Sequence, residues 1–412
     1  MKSTRRHALI LAGGTTLSIA GSARGQAQPV IRLGILGDLS GPYRDLSGLG
    51  TATCVRQAIQ DFAAAQGNPI RVEFLHADHQ HKPDVGMAIA RQWYDRQDVD
   101  AILEVNNSAI ALAIADLARE KDKVFLATGP ATAELYGPRC GPNHVHWTYD
   151  TWMLANGAGR AMVRAGGDTW FFLTADYAFG HALQRDTQRA VEGAGGRVLG
   201  NARYPFPSTT DFSSFLVQAQ ASRAKVLGLA NAGTDFVNSV KQAHEFGLSQ
   251  RGMKMVGLLG LLGDVRAIGA DQAQGLLLTE PFYWDFDDRT RAFTRRVLPG
   301  MPTGIYPSTN HAGAYSAVLH YQKAVAALGA SAAKASGRAV VAQMKAMPTE
   351  DDCFGPGRVR EDGRKIHAAH LFEVKPVAQV RHEWDLYRLV GTIAPEEAMR
   401  PVAEGGCPMV RG

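Results

Sequence analysis

Short apolar segments alternate with longer amphipathic segments along most of the chain. The short segments predict buried strands at 31–36, 70–76, 101–104, 124–127, 169–174, 197–203, 226–230 and 255–258. The longer segments predict helices at 52–66, 84–96, 109–120, 180–193, 212–222 and 234–246. Because helices separate the strands, the sheets should be parallel with right-handed crossovers. Two such runs predict an α/β protein with two doubly wound, Rossmann-like lobes.

Two breaks divide this pattern, one at 146–150 and one at 280–281. After the second break, the sequence predicts helices at 290–297 and 312–328, a Gly-rich hairpin at 354–363 and a last strand at 369–374. We therefore expect lobe 1 to comprise 28–147 and 281–368, lobe 2 to comprise 148–280 and 369–390, and a C-terminal tail at 391–412. The hinge candidates are Trp147, Thr148 and Pro281.

The first 27 residues have the composition of an export signal. Lys2, Arg5 and Arg6 precede an uncharged stretch at 8–23 that is neither long nor hydrophobic enough to span a bilayer. Small residues then offer cleavage points, so we predict a cleavable signal peptide at 1–27 and a periplasmic protein. The general secretory route and a twin-arginine route, through Arg5 and Arg6, both remain open.

The charge balance argues against a nucleic-acid partner. The chain has 44 Lys and Arg against 39 Asp and Glu, a formal net charge of +5. Four of the basic residues, Lys2, Arg5, Arg6 and Arg24, lie in the predicted signal peptide, and without them the balance is 40 against 39. The mature protein is almost neutral and has no basic stripe to follow phosphates. Its later segments also lack a membrane span, so we expect no stable membrane insertion.

The four cysteines, Cys54, Cys140, Cys353 and Cys407, are widely spaced and form no C-x-x-C pair. This spacing argues against a zinc or redox site. In an exported protein two disulfides are favoured, and of the three possible connectivities we prefer Cys140 with Cys407 and Cys54 with Cys353. Four free buried thiols are the alternative.

Four short motifs follow one another in a particular order: DLSGP at 38–42, TGPAT at 128–132, DYAFG at 176–180, and FGPG at 354–357 with DG at 362–363. In this order, behind a leader, they resemble the solute-binding proteins of ABC transporters of the branched-chain amino acid (Leu/Ile/Val-binding) type. The resemblance spans about the whole mature chain. It implies a type I periplasmic binding fold, in which three hinge crossings join two lobes around a small-molecule ligand. ABC permease and ATPase subunits are the implied partners.

The predicted fold and the resemblance place the ligand at the same site. Ligands of open parallel sheets bind beyond the carboxyl ends of the strands, where loops 40–49, 106–108, 129–132 and 176–177 are expected. The resemblance assigns ligand contacts in these loops to Asn106, Asn107, Gly129, Ala131, Thr132 and the clamping aromatic Tyr177.

Three of these loops allow a second interpretation. Asn107 or Ser108 is equally suited to capping a helix. Tyr177 is alternatively a core residue. Tyr43, next to Arg44, either closes over the ligand or lies at a solvated loop tip.

The second lobe bears on ligand identity. The family's amino-acid binders have an acidic residue that meets the ligand ammonium, after a strand corresponding to 255–257. Here LLGLLG follows at 258–263, with no acid before Asp264. This departure favours a small aromatic or apolar carboxylate. Asp235 could replace the acid, which leaves a branched-chain amino acid or an amide as the alternative; Asn231, Thr234 and Gly260 are further ligand candidates.

Enzyme motifs are not evident. His76, His79 and His81 are spaced like metal ligands, but the family has a polar loop here, so we expect a solvated loop and no metal. The glycines at 48–50 lack the third glycine of a dinucleotide fingerprint, because Thr53 stands there. We predict a protein without enzymatic activity or cofactor that captures its ligand by hinge closure. The ligand-sensing domain of a signalling system is the alternative class.

Overall fold

The structure is a computed structural model that describes residues 29–66 and 70–410. The predicted signal peptide at 1–27 lies outside the described residues. The strands are β1 Ile31–Gly37, β2 Val72–Asp78, β3 Ala101–Glu104, β4 Val124–Ala127, β5 His144–His146, β6 Thr169–Ala175, β7 Arg197–Tyr204, β8 Val226–Ala230, β9 Lys254–Gly257, β10 Leu277–Glu280, β11 Arg358–Val359, β12 Lys365–Ile366, β13 Ala369–Val374 and β14 Tyr387–Ile393.

The helices connect these strands on both sides of the sheets. They are α1 Gly48–Gln66, α2 Pro83–Arg96, α3 Ser108–Glu120, α4 Thr151–Leu154, α5 Arg160–Arg164, α6 Ala178–Gly193, α7 Ser213–Ser222, α8 Gly233–Glu245, α9 Leu262–Ile268, α10 Ala270–Ala273, α11 Asp288–Val297, α12 Thr309–Leu328, α13 Ala330–Ala335, α14 Gly337–Ala346, α15 Pro395–Ala398 and α16 Val402–Gly405. A π-helical turn, Ala155–Gly159, joins α4 to α5. In the part of the chain that the structure describes, no helix combines the length and apolar composition needed to cross a membrane.

The two main sheets confirm the predicted α/β fold with two doubly wound lobes. The sheet of lobe 1 has the parallel order β2-β1-β3-β4-β5. The sheet of lobe 2 has the order β14-β13-β10-β9-β8-β6-β7, in which β13 and β14 are antiparallel to their neighbours. The strand β14 extends to Ile393, beyond the predicted start of the tail at 391. The other predicted lobe boundaries stay predictions.

Helices cover both faces of the sheet in each lobe. The central strands are therefore buried along nearly their whole length, as in other parallel sheets. In lobe 1, α1 and α12 bury residues such as Val55 and Tyr321 on one face. On the other face, α2 and α3 bury Trp93 and Ile110. A side chain at Gly34 of β1 would collide with the Trp93 ring, so the glycine allows the helix to pack closely on the strand. Lobe 2 has the same arrangement, with one apolar core on each face.

The cysteines differ in part from the prediction. Cys140 and Cys407 form the predicted disulfide, with their Cα atoms 5.6 Å apart. The predicted second disulfide is wrong, because Cys54 and Cys353 are free and buried. Both belong to the apolar core between the lobe 1 sheet and its helices, where a thiol packs as a small hydrophobic group. Burial raises the pKa of both thiols, which keeps them protonated.

The chain passes between the two lobes three times. Trp147, Thr148 and Pro281 lie on these passages, and their role as hinge residues stays a prediction. The chain leaves lobe 1 after β5, through Trp147 and Thr148, and enters α4 of lobe 2. It returns after β10, where Pro281 follows the strand, and α11 and α12 pack on lobe 1. A third passage leads from β12 to β13.

The Arg364 side chain joins the third passage to the first. Its guanidinium donates to the Asp150 carboxylate at 2.7 Å and to the carbonyls of His146, Trp147 and Thr148 at 3.1, 2.8 and 3.4 Å. Neither Arg364 nor Asp150 is exposed to solvent. Burial disfavours the ionised carboxylate, but the charge of Arg364 outweighs this effect and lowers the pKa of Asp150. This ion pair therefore fixes the path of the chain at the hinge.

We expect Asp150→Ala to lower the free energy of unfolding by about 3–5 kcal/mol, because it leaves the Arg364 guanidinium buried without its carboxylate. Denaturant-induced unfolding of the purified variant measures this loss. Asp168→Ala is the control, because Asp168 pairs with Lys225 at 2.9 Å on the surface and should contribute little. Equal stability of the two variants would contradict a structural role for the buried pair.

Candidate functional site

A cavity lies between the lobes, at the carboxyl ends of the strands where open parallel sheets bind their ligands. It encloses about 240 Å³, including the part that opens to solvent. The lining residues are Tyr43, Leu46, Asn106, Ser108, Gly129, Pro130, Ala131, Tyr149, Tyr177, Phe179 and Leu259. Five of the ten residues that the sequence predicted as ligand contacts are in this group.

Aromatic side chains from both lobes meet at the cavity. The Tyr43 and Tyr177 hydroxyls lie 2.8 Å apart, which makes a direct hydrogen bond between the lobes. The Tyr177 ring stacks on Phe206 at a centroid distance of 4.3 Å, and the Tyr43 ring lies 5.4 Å from the same Phe206. Tyr43 is only 3% exposed, so it is not a solvated loop tip. Phe206 is not predictable as a cleft residue from the sequence, because no periodicity distinguishes a cleft aromatic from a core one.

The loop that carries Tyr43 is held by the Asp38 carboxylate. This carboxylate accepts the backbone N–H groups of Ser40, Gly41 and Tyr43, at 3.2, 2.6 and 2.8 Å. It also accepts a hydrogen bond from the His81 ring at 2.7 Å. Burial favours the neutral acid, but the hydrogen bonds from His81 and the backbone prevail and lower the pKa of Asp38 to about 2. Asp38 is therefore ionised at neutral pH and organises the loop.

Asn107 serves as the N-cap of α3. Its side-chain oxygen accepts the backbone N–H groups of Ala109 and Ile110 at 3.0 and 3.1 Å. Its amide nitrogen donates to the other nitrogen of the His81 ring at 3.0 Å. His81 therefore bridges Asp38 and Asn107 through its two ring nitrogens. The Asn107 side chain thus supports the cleft rather than lining it.

Asn106 lines the cavity, but its side-chain oxygen is already engaged. The oxygen accepts the Asp38 backbone N–H at 3.0 Å and a hydrogen bond from the His79 ring at 2.9 Å. The two residues at the end of β3, Glu104 and Val105, have positive φ angles of 74° and 54°. Side chains other than glycine rarely adopt this conformation, and such backbone is concentrated at functional sites.

The prediction of a solvated loop is wrong for His79 and His81. His79 is unexposed and His81 is 7% exposed. Beneath the cleft, the His79 ring forms a hydrogen bond with Asn106, and the His81 ring forms hydrogen bonds with Asp38 and Asn107. Buried polar groups are normally paired in this way. Among residues 29–66 and 70–410 no group of three His, Cys, Asp or Glu side chains is placed to hold a metal ion.

The first turn of α3 and the 129–132 turn meet at the cavity. The Ser108 hydroxyl oxygen accepts the Thr132 backbone N–H at 3.3 Å, which leaves its own hydrogen free to donate. The Thr132 hydroxyl accepts the backbone N–H of Glu134 at 3.4 Å. Thr132 is not among the residues that line the cavity, whereas Ala131 is. Gly129 lies so close to the Asn106 backbone that a Cβ there would be 3.0 Å from it.

Three predicted residues of lobe 2 lie outside the cavity lining. The Asn231 amide nitrogen donates to the Ser239 hydroxyl at 2.9 Å. The Thr234 backbone N–H donates across the cleft to the Pro42 carbonyl at 2.9 Å. Gly260 packs against an aromatic ring inside the lobe. As ligand contacts, these residues and the other seven stay predictions.

Four buried carboxyl groups lie near the lining tyrosines Tyr149 and Tyr177 without lining the cavity themselves, and none of the lining residues is Lys or Arg. Burial raises the pKa of Glu104, Asp235 and Asp264 to about 7 and that of Glu280 to about 8. Asp235 accepts a hydrogen bond from the Tyr204 hydroxyl at 2.9 Å. Glu104 and Glu280 are not predictable as buried acids from the sequence, since nothing in the local sequence marks them as buried.

The fold and the cleft are those of a protein that binds a solute between two lobes. The sequence profile of the periplasmic binding protein family matches residues 30–379, and the chain belongs to this family. A search of curated proteins finds no match.

Solved structures show the same similarity. A periplasmic binding protein from Burkholderia mallei is 41% identical over 93% of this chain and 99% of that one, with a TM-score of 0.87. A branched chain amino acid ABC transporter periplasmic ligand-binding protein from Burkholderia xenovorans LB400 is 36% identical over 92% and 99%, with a TM-score of 0.80. An ABC transporter solute-binding protein from R. palustris in complex with 4-hydroxybenzoate shares the fold at 22% identity over 89% and 98%, with a TM-score of 0.78.

Glu280 should make the stability of the protein depend on pH. Its carboxyl accepts the hydroxyls of Thr309 and Tyr387 at 2.6 and 2.7 Å. Because folding raises its pKa from 4.5 to about 8, the folded state holds a proton that the unfolded state loses between these values. The stability contributed by Glu280 is therefore complete below pH 4.5 and is lost as the pH rises to about 8.

We expect the difference in unfolding free energy between the wild type and Glu280→Gln to fall across this window, by up to about 1.4 kcal/mol per pH unit. Denaturant unfolding at a series of pH values measures it. Tyr387→Phe is the control, because it removes one hydroxyl but keeps the titrating carboxyl, so its difference from wild type should lack this slope. If the difference in unfolding free energy between the wild type and Glu280→Gln did not change with pH, the raised pKa of Glu280 would be contradicted.

Proposed function

We propose that this protein is the extracytoplasmic solute-binding component of an ABC importer, and that it captures a small aromatic or apolar carboxylate between its lobes. The observation that carries the proposal is the cavity, which has aromatic walls and the N-terminus of α3 at one end. The relative from Burkholderia xenovorans supports the importer role, since it is 36% identical and belongs to such a transporter. We further propose that the signal peptide directs the protein to the periplasm and is then removed.

The N-terminus of α3 suits the carboxylate end of such a ligand. A helix N-terminus carries partial positive charge and stabilises anions. The Ser108 hydroxyl lies at this end of the cavity and has a hydrogen to donate. Ala131, from the neighbouring turn, completes this part of the wall. An anion is thus accommodated here without a Lys or Arg side chain.

The rest of the cavity suits an aromatic or apolar body. Tyr43, Tyr149, Tyr177 and Phe179 supply rings, and aliphatic side chains fill the remaining wall. Aromatic pairs favour offset-stacked or edge-to-face arrangements, and an aromatic ligand could meet these rings in either way. The R. palustris protein, which has the same fold, binds 4-hydroxybenzoate. We expect the ligand of this protein to be of the same chemical kind.

Capture follows from contacts that only the closed form makes. The hydrogen bond between Tyr43 and Tyr177 and the one from Thr234 to Pro42 both join the lobes. A ligand that touches both walls adds further contacts of this kind and shifts the population towards closure. The permease would then recognise the closed form, and ATP hydrolysis belongs to its partner subunits. The binding protein itself needs no cofactor and carries out no reaction.

A branched-chain amino acid or an amide is the second candidate. Asp235 is buried in lobe 2 and bound to Tyr204, and the Asn231 side-chain oxygen has no hydrogen-bond partner among the described residues. Both are acceptors for an ammonium or amide N–H. The name of the Burkholderia xenovorans relative points to the same ligands.

Thermal unfolding with a ligand panel separates the candidates. The mature protein is heated with benzoate, 4-hydroxybenzoate, short aliphatic acids, branched-chain amino acids or amides. A ligand at a hundred times its Kd stabilises the folded state by about 2.7 kcal/mol. We expect aromatic acids to raise Tm. A shift with leucine or valine alone would favour the second candidate, and no shift with any compound would contradict the proposal.

Two hydroxyl deletions test the position of the carboxylate. Ser108→Ala removes the free donor at the cavity and should weaken binding of the aromatic acid by about 1.5–3 kcal/mol, the range for hydrogen bonds to charged groups. Ser222→Ala is the matched control, because the Ser222 hydroxyl donates to the Ala219 carbonyl at 2.6 Å at the end of α7 and does not line the cavity, so this variant should leave Kd nearly unchanged. Isothermal titration calorimetry measures both. Equal losses would show that the carboxylate does not lie at Ser108.

A further inference from the structure

The C-terminal tail runs from lobe 2 to lobe 1. The strand β14 forms an edge of the lobe 2 sheet and ends at Ile393. Three residues later, Glu396 pairs with Arg358 of the β11–β12 hairpin at 2.6 Å. The tail then continues to Cys407, whose disulfide partner is Cys140 in lobe 1. Residues 394–407, which we call the strap, thus join the lobes in addition to the three hinge passages.

The strap is packed along its length and not only held at its end. Ala398 and Met399 are each 1% exposed and belong to an apolar cluster that contains residues of both lobes, among them Ile366 of lobe 1 and Leu371 of lobe 2. Arg400 donates to the Ala133 carbonyl at 2.8 Å, and its guanidinium lies 4.8 Å from the centre of the Tyr136 ring. These contacts hold the strap against the residues that follow the 129–132 turn.

Lobe 1 has a place for the strap. A side chain at Gly137 would collide with the Arg400 guanidinium and would come within 2.8 Å of the Gly405 carbonyl. Glycine at this position therefore leaves room for both. The disulfide lies directly beyond this contact, with Cys140 three residues after Gly137.

The free length of the strap is short. From Ile393 in lobe 2 to Glu396 at lobe 1, three residues span at most about 10 Å when fully extended. This part cannot lengthen much when the lobes separate, unless the contacts of Glu396 and Arg400 break. The disulfide keeps the far end attached, so broken contacts re-form readily.

We propose that the strap restricts the opening of the cleft and thereby strengthens ligand binding. A protein whose binding-competent form is only partly populated binds with an affinity reduced by that fraction. By excluding widely open forms, the strap raises the fraction of molecules near the closed form. The effect on affinity rests on the proposed solute-binding function, whereas the effect on opening does not.

Two variants release the strap in different ways. Cys140→Ser combined with Cys407→Ser removes the covalent link. A four-residue Gly/Ser insertion between the exposed residues Ala394 and Pro395 keeps the disulfide but lengthens the crossing. The same insertion between Cys407 and Pro408 lies outside the closed segment and is the matched control. The insertion variants retain both cysteines, so they decide the question even if the cysteine variant does not fold.

Small-angle X-ray scattering without ligand measures the opening directly. We expect a larger radius of gyration for the double cysteine variant and for the 394–395 insertion than for the wild type and the control insertion. Equal radii of gyration for all four proteins would overturn the proposal. This result needs no ligand, so it is distinct from a failure of the ligand panel.

Isothermal titration calorimetry with the tightest-binding ligand of the panel measures the effect of the strap on affinity. We expect both released variants to bind about threefold more weakly or worse, while the control insertion binds like the wild type. Unchanged Kd in variants that open more widely would overturn the link between opening and affinity.

Discussion

The buried guanidinium of Arg364 is the interaction on which the rest of the structure depends. It binds the Asp150 carboxylate and three carbonyls of another hinge passage, so two segments more than 200 residues apart in sequence follow one path between the lobes. Asp150 also caps α4 by accepting the N–H groups of Trp152 and Met153. The hinge and the start of lobe 2 are therefore a single hydrogen-bonded unit, and the cavity lies where this unit places the two sheets.

A second polar network shapes the lobe 1 side of the cavity. Asp38, His79, His81, Asn106 and Asn107 are all buried and bound to one another. Buried polar groups are costly unless they are paired, so each member limits the positions of the others. The network orients the Tyr43 loop and the N-terminus of α3 together. The shape of the cleft thus depends on side chains that do not line it.

The cleft combines an apolar cavity that suits a carboxylate ligand with buried acidic groups nearby. Aromatic walls and a helix N-terminus favour an apolar body with a carboxylate. The buried acids Glu104, Asp235, Asp264 and Glu280, whose pKa values are raised by burial, provide hydrogen-bonding groups without a fixed negative charge at low pH. The cavity wall itself is mostly apolar and aromatic with a few polar groups, such as those of Asn106 and Ser108, as in most small-molecule sites.

The sequence by itself determined the α/β class, the two doubly wound lobes and the loops that form the cleft. These depend on hydrophobic periodicity and turn residues, which act over a few neighbouring positions. Only the tertiary structure decided that His79 and His81 are buried, that Cys54 and Cys353 remain free, and that β14 extends into the tail. These outcomes depend on partners from other segments of the chain, such as Asn106 for His79 or Asp38 for His81. Local pattern places a residue on a loop or helix, but contacts between distant segments decide where its side chain points.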